Sequence, residues 1–126
     1  MNESTSVTPT KGEFEILQVL WKAGPCTVKK VHEEIGRATG YTTILKLLQI
    51  MAEKGLVKRD EESRAHIYRA NISEKRATGS FMHELVGRVF GGSSSRLVMQ
   101  ALGMGKPTRE ELKEIRRLLD EMEGGK

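Results

Sequence analysis

The sequence holds a single cysteine, Cys26, and one cysteine closes no internal disulfide and builds no thiolate metal cage. Disulfide scaffolds and zinc ribbons are excluded, and a reducing compartment is expected. Aromatic residues are scarce at 5 % against 37 % apolar residues in total. The apolar mass is therefore aliphatic and has to be organised by periodicity, which favours helices over a sandwich. No apolar run approaches the roughly 18 residues that cross a bilayer. The opening Met1-Asn2-Glu3-Ser4-Thr5-Ser6 has neither the charge nor the greasy core of a signal peptide, so a cytoplasmic protein without membrane insertion is expected.

Catalytic signatures are missing as well. His32-Glu33-Glu34-Ile35-Gly36 and His83-Glu84-Leu85-Val86-Gly87 both lack the second histidine of a zinc-protease helix. There is no G-x-S-x-G elbow, Gly91-Gly92-Ser93-Ser94-Ser95 lacks the lysine of a phosphate loop, and the three histidines fall on different elements. No acid-base pair, nucleophile or ligand cluster survives, so no enzyme, no metal and no cofactor are expected. Cys26 sits beside Pro25 before a helix, where it reads as a small buried hydrophobe or as a thiolate favoured by the helix dipole.

What is present is 126 residues, room for one compact domain or a small head with a helical appendage, and too few for a Rossmann enzyme or a barrel. The net charge is +4, and residues 1–70 and 71–126 each contribute +2. This mild excess permits nucleic-acid binding without saying where a polyanion would sit.

Residues 1–7 are polar and without period and read as a disordered arm. Thr10-Lys11-Gly12-Glu13 is a capping box that opens a helix with Phe14, Ile16, Leu17, Leu20 and Trp21 at helical spacing. Gly24 is expected to close it as a left-handed cap, and Pro25 cannot continue it. Thr27 caps a short second helix with Val28, Val31 and Ile35 inward, ended by Gly36. After a turn at Ala38-Thr39-Gly40, a third amphipathic helix runs from Tyr41 with Ile44, Leu47, Leu48 and Met51 inward, closed by Lys54-Gly55. The period then changes: Leu56-Val57-Lys58-Arg59 and Ala65-His66-Ile67-Tyr68-Arg69 are β-prone stretches around the polar tip Asp60-Glu61-Glu62-Ser63-Arg64. Three helices, a strand, a tip and a strand make a winged helix-turn-helix order.

Ser73 caps a long helix in which Ala77, Phe81, Leu85 and Val89 recur every four positions until Gly91-Gly92. Leu97, Val98, Ala101 and Leu102 mark a short helix, and Gly103 to Pro107 is expected to be a loop. A second capping box, Thr108-Arg109-Glu110-Glu111, opens a helix whose Leu112, Ile115, Leu119 and Met122 follow the a/d rhythm, with a fraying tail at 123–126. The fold class expected is mainly α with a small β-hairpin wing: a winged-helix DNA-binding domain over 8–72 and a helical dimerisation domain over 73–123. An arm without its own core gains one by dimerising, and a twofold homodimer is the simplest outcome.

The third helix carries the chemistry. Thr42, Thr43, Lys46 and Gln49 point outward, and hydroxyl, cation and amide are the groups that read base edges. The same set also describes an ordinary solvated face. The cations that follow shift the balance: Lys54, Lys58, Arg59 and Arg64 bracket the wing, and with Tyr41 at the helix start they are expected to hold the phosphate backbone. Asp60, Glu61 and Glu62 at the tip repel phosphate and imply that the tip points away. Phe81, Leu85, Val89, Leu112, Ile115, Leu119 and Met122 are expected to form the dimer core. The competing reading is a winged-helix protein-interaction module without sequence-specific DNA binding, supported by those tip acids.

The ordered series Thr10-x-x-Glu13-x-x-Ile16-Leu17-x-x-Leu20-Trp21, Gly24-Pro25, Thr42-Thr43-Ile44, Leu47-Leu48, Lys54-Gly55-Leu56, Arg64-Ala65-His66-Ile67-Tyr68 and Phe90-Gly91-Gly92-Ser93 spans nearly the whole chain. It resembles the penicillinase-repressor (BlaI/MecI) family, whose copper-responsive relatives are the CopY repressors. The resemblance implies a homodimeric transcriptional repressor on inverted-repeat operators, its third helix in the major groove, with a membrane-bound sensor protease as a candidate partner. Departures are local. Lys46 replaces a usual threonine and Ile50 a frequent arginine, so base preference is expected to differ; His66 and Ala70 replace a usual tyrosine and proline in the wing. Gln100-Ala101 stands at the Asn-Phe bond that is cleaved in family repressors of β-lactam resistance, and the tail lacks the Cys-x-Cys pairs of copper sensors.

Overall fold

The computed structural model describes residues 8–36, 38–61, 64 and 66–124. The arm expected at 1–7, tip residues Glu62 and Ser63, strand residue Ala65, and Gly125 and Lys126 lie outside the described residues. The elements run α1 (Lys11–Ala23), α2 (Val28–Ile35), α3 (Tyr41–Lys54), β1 (Val57–Asp60), β2 (Ile67–Ala70), α4 (Glu74–Val89), α5 (Ser94–Gly105) and α6 (Arg109–Gly124). This is the winged-helix order with three further helices.

The capping box at α1 closes in both directions: Glu13 donates its backbone N–H to Thr10 Oγ1 at 3.2 Å, and Thr10 N–H donates to Glu13 Oε1 at 3.0 Å. Ile16, Leu17 and Leu20 then turn inward. Gly24 ends the helix, but with φ 84° and ψ −167° and not in the left-handed cap expected. That backbone is open to glycine alone, and it sends the chain out extended instead of curling it back. The extended exit matters for the sheet. Cys26 donates to Tyr68 O at 2.9 Å and accepts from Tyr68 N–H at 2.8 Å, so the α1–α2 connection pairs with β2.

Thr27 Oγ1 caps α2 through Lys30 N–H at 3.1 Å, and Val28 and Val31 are buried. Ile44, Leu48 and Met51 of α3 pack onto the same core, with Leu47 half-buried beside them. β1 and β2 pair antiparallel in the register Val57 to Ala70, Lys58 to Arg69, Arg59 to Tyr68 and Asp60 to Ile67. Each strand is displaced from its expected span, for local reasons. Leu56 N–H is taken by Met51 O in the end of α3, and His66 has φ 52°, a conformation that cannot continue a strand.

Two compact units are distinguished, the first ending at Glu84 and the second beginning at Leu85. The division falls inside α4. Ser73 Oγ caps this helix through Arg76 N–H at 3.1 Å, Ala77 is fully buried in the core of the first unit, and the Phe81 ring stacks on Phe14. In the second unit α5 continues to Gly105, where a loop from Gly103 was expected. A glycine in a helix costs only about 1 kcal/mol and does not terminate it. The stop comes at Lys106, held at φ 46° immediately before Pro107, which bars the preceding residue from helical geometry. Thr108 and Glu111 form the second capping box at 3.0 and 2.8 Å, and α6 runs on to Gly124, past the expected start of fraying at Glu123. No helix among the described residues is long and apolar enough to cross a membrane.

Candidate nucleic-acid interface

Because α3 buries Ile44, Leu48 and Met51, its opposite side is forced outward. Thr42, Lys46 and Gln49 fall at i, i+4 and i+7 on one exposed stripe, with Thr43 beside them, and Glu53 extends the stripe toward the wing. The four residues expected to read bases therefore share a face.

The start of α3 is open. Gly40 caps it without a side-chain hydrogen bond, so the first backbone N–H groups keep their donor capacity at the positive end of the helix dipole. Tyr41 stands there half-exposed, its ring met edge-on by His32 at 5.9 Å. His32 Nε2 lies 2.9 Å from Thr39 O and donates to it, which fastens the end of α2 to the turn that aims α3. In the sequence, the only sign of this tie is the spacing of seven between His32 and Thr39.

At the far end, Gly55 takes a left-handed conformation (φ 86°, ψ 9°), and the wing begins at once. Asn71 Nδ2 donates to Gly55 O at 2.9 Å and Asn71 N–H to Leu56 O at 2.8 Å, so the exit of β2 is tied to the exit of α3. A groove between the two is lined by Gln49, Glu53, Lys58, Arg59 and Glu61 among others. Helix stripe and wing cations thus meet across one cleft.

The expected phosphate cations are not equivalent. Lys54 Nζ lies 2.8 Å from Oε2 of Glu13, a carboxylate only 2 % exposed, and so bridges the end of α3 to the start of α1. Arg59 pairs with Glu61 at 3.0 Å, and the hydrogen bonds to Glu61 first and Tyr68 second raise its affinity for its proton above the usual value. Lys58 and Arg64 are exposed. Lys58 has Arg69 as its direct cross-strand neighbour, two cations on one face of the hairpin. Arg69 was overlooked in the sequence, although the inward Tyr68 places its successor outward by simple alternation.

Cys26 is 5 % exposed and its Sγ is 3.2 Å from Gly24 O, to which it donates. Burial, the largest influence, pushes the thiol above its usual range; Lys30 opposes this and Glu34 adds to it. Of the two readings of Cys26, the small buried hydrophobe is correct. Among the described residues no cluster of histidine, cysteine or carboxylate groups could hold a metal ion.

Of the residues expected in a dimer core, Leu85, Leu112 and Ile115 are half-buried and Val89, Leu119 and Met122 are exposed. Neither α5 nor α6 buries any residue. Gln100 and Ala101 lie exposed within α5.

Residues 9–121 match the profile of the penicillinase repressor family. The chain belongs to the penicillinase repressor family. Among its relatives is the penicillinase repressor of Bacillus licheniformis, 25 % identical over 111 residues that cover 86 % of this chain and 87 % of the relative. The solution structure of the monomeric form of Bacillus licheniformis BlaI with the blaP half-operator aligns at TM-score 0.49 and 25 % identity, over 56 % of this chain and 89 % of that one. A MarR family protein from Bacillus stearothermophilus aligns over 96 % of this chain and 77 % of its own, at TM-score 0.53 and 20 % identity, a likeness of fold alone. As a penicillinase repressor family member the protein is a winged-helix transcriptional repressor and not an enzyme. That membership decides against the protein-interaction module.

Proposed function

We propose that the protein represses transcription as a twofold homodimer occupying an inverted-repeat DNA operator, with α3 of each copy in the major groove. The observation that carries this reading is the exposed stripe Thr42, Lys46 and Gln49, running from an uncapped helix start to a cation-bearing wing. A threonine hydroxyl or methyl, an ammonium and a carboxamide between them address thymine, guanine and adenine edges. Tyr41 and the open N–H groups of α3 take one phosphate, and Lys58 and Arg64 take others, with the cross-strand Arg69 beside Lys58. Lys54 and Arg59, held by Glu13 and Glu61, contribute less.

Dimerisation is supported by the arm. Helices α5 and α6 bury no residue within one chain, while Val89, Leu119 and Met122 stand exposed at helical spacing beside Leu85, Leu112 and Ile115. A second copy supplies the missing cover. Two heads related by a twofold axis meet successive major grooves about 34 Å apart or a multiple of it, which makes the operator a palindrome.

The deciding experiment is selection of bound sequences from a random duplex pool at roughly physiological salt, because counterion release inflates affinity at low salt. Enrichment of an inverted repeat is the expected outcome. Binding without enrichment, lost as salt rises, would overturn sequence-specific recognition.

A further inference from the structure

The first half of α4 is joined to the head by more than the chain. Trp21 Nε1 donates to Ile72 O at 2.9 Å, just before the helix, and Ala77 one turn into it is fully buried. One turn further, the Phe81 ring stacks on Phe14 at 5.7 Å and 28°, and Phe14 in turn meets Trp21 edge-on at 5.7 Å and 77°. Phe14 and Trp21 both belong to α1. The result is a closed set of contacts: α1 grips the entry of α4 through Trp21 and a point about 10 Å along its axis through Phe14.

Two separated points fix a direction, where one leaves a pivot. Ile72 and Ala77 hold α4 at its entry, and Phe81 on Phe14 adds a hold farther along its axis. We infer that Phe14 and Phe81 form a clamp that sets the direction of α4 on the head and thereby the distance between operator half-sites that the repressor accepts. The inference rests on the dimeric reading above. It gives Phe81 a role different from the dimer contact expected from periodicity: its ring, 37 % exposed, stacks on Phe14 of its own head, and it acts as a positioning residue.

The test uses the full chain and three probes: the inverted-repeat duplex enriched in the selection, the same duplex with its spacer changed by about two base pairs, and a duplex with one repeat. Phe81→Leu keeps an apolar side chain and removes the stack. It is expected to sediment as a dimer and to bind the single repeat within about twofold of the parent, while preference for the selected spacer falls roughly fivefold, the fold-change of one lost aromatic pair. Phe14→Leu is expected to do the same, and the double variant to be no worse than either single change. Undiminished spacer discrimination in Phe81→Leu overturns the clamp. So does a monomeric Phe81→Leu where the parent is a dimer, which would return Phe81 to the dimer interface. A parent chain that enriches no repeat overturns the operator reading itself, before any variant is made.

Discussion

At the scale of single residues, the proposed interface is expected to separate groups that discriminate from groups that only attract. Lys46 lies mid-stripe on α3, away from the wing, whereas Lys58 projects from the hairpin with a second cation opposite. Lys46→Ala is expected to relax base preference at one operator position by about 1–3 kcal/mol, and Lys58→Ala to weaken all duplexes alike and reduce the salt slope by about one. Equal loss on all duplexes for both variants would erase that division, and a salt series on matched and mismatched duplexes measures it. Cys26 gives a second residue-level test. Its folded thiol titrates above the ordinary value of 9.0, so it resists alkylation at pH 8 until the protein unfolds. The linkage has a definite sign. Stabilisation from the protonated buried thiol is fully present below pH 9 and declines as pH rises through the higher folded value, because the unfolded chain ionises first. Cys26→Ala is expected to flatten the alkaline end of the stability profile.

At the scale of elements, α3 is held from three sides. His32 fixes the turn before it, Asn71 ties its exit to the wing, and Lys54 joins its last turn to buried Glu13 of α1. Among the described residues, Lys54→Met would leave the Glu13 carboxylate with only the Thr10 N–H for a partner. A loss of about 1–3 kcal/mol is expected, below the value for a fully buried pair because Lys54 itself reaches solvent. Urea unfolding would register it as a lower midpoint at unchanged slope, and an unshifted midpoint would make the pair incidental. The same element scale explains where the sequence was legible. Helix starts were readable from Thr10, Thr27, Ser73 and Thr108, since a hydroxyl three residues before an open N–H acts locally. Helix and strand ends were less so. The exit of Gly24 and the displaced strands depend on pairing with Tyr68 and on the carbonyl of Met51, partners outside the local window.

At the scale of the whole molecule, the arm is the part that one chain leaves unfinished. If a second copy covers it, Leu119→Asp puts a charge where apolar surface is to be buried, and the variant is expected to sediment as a monomer where the parent is a dimer. It should still bind a single repeat while losing most of its affinity for the inverted repeat. A dimeric Leu119→Asp would move the interface elsewhere. The a/d spacing of α6 is visible in the sequence because a helix repeats every few residues, but spacing alone does not say which stripe residues serve the arm. Ala77, Phe81, Leu85 and Val89 read as one stripe; Ala77 and Phe81 pack within the first unit, and Leu85 and Val89 belong to the second.

The sequence by itself determined the order of elements, the outward set Thr42, Thr43, Lys46 and Gln49, and the family. Each follows from local rules: capping chemistry, helical and strand periods, and an ordered series of short motifs. Only the tertiary structure decided which cations are already engaged, that Cys26 is buried, that the α1–α2 connection pairs with the wing, and that Phe81 stacks on Phe14. These turn on contacts between residues 41 positions apart for Glu13 and Lys54, and farther still for Phe14 and Phe81. Periodicity tells which way a side chain faces; what it meets there is set by the packing of elements that are distant in the chain.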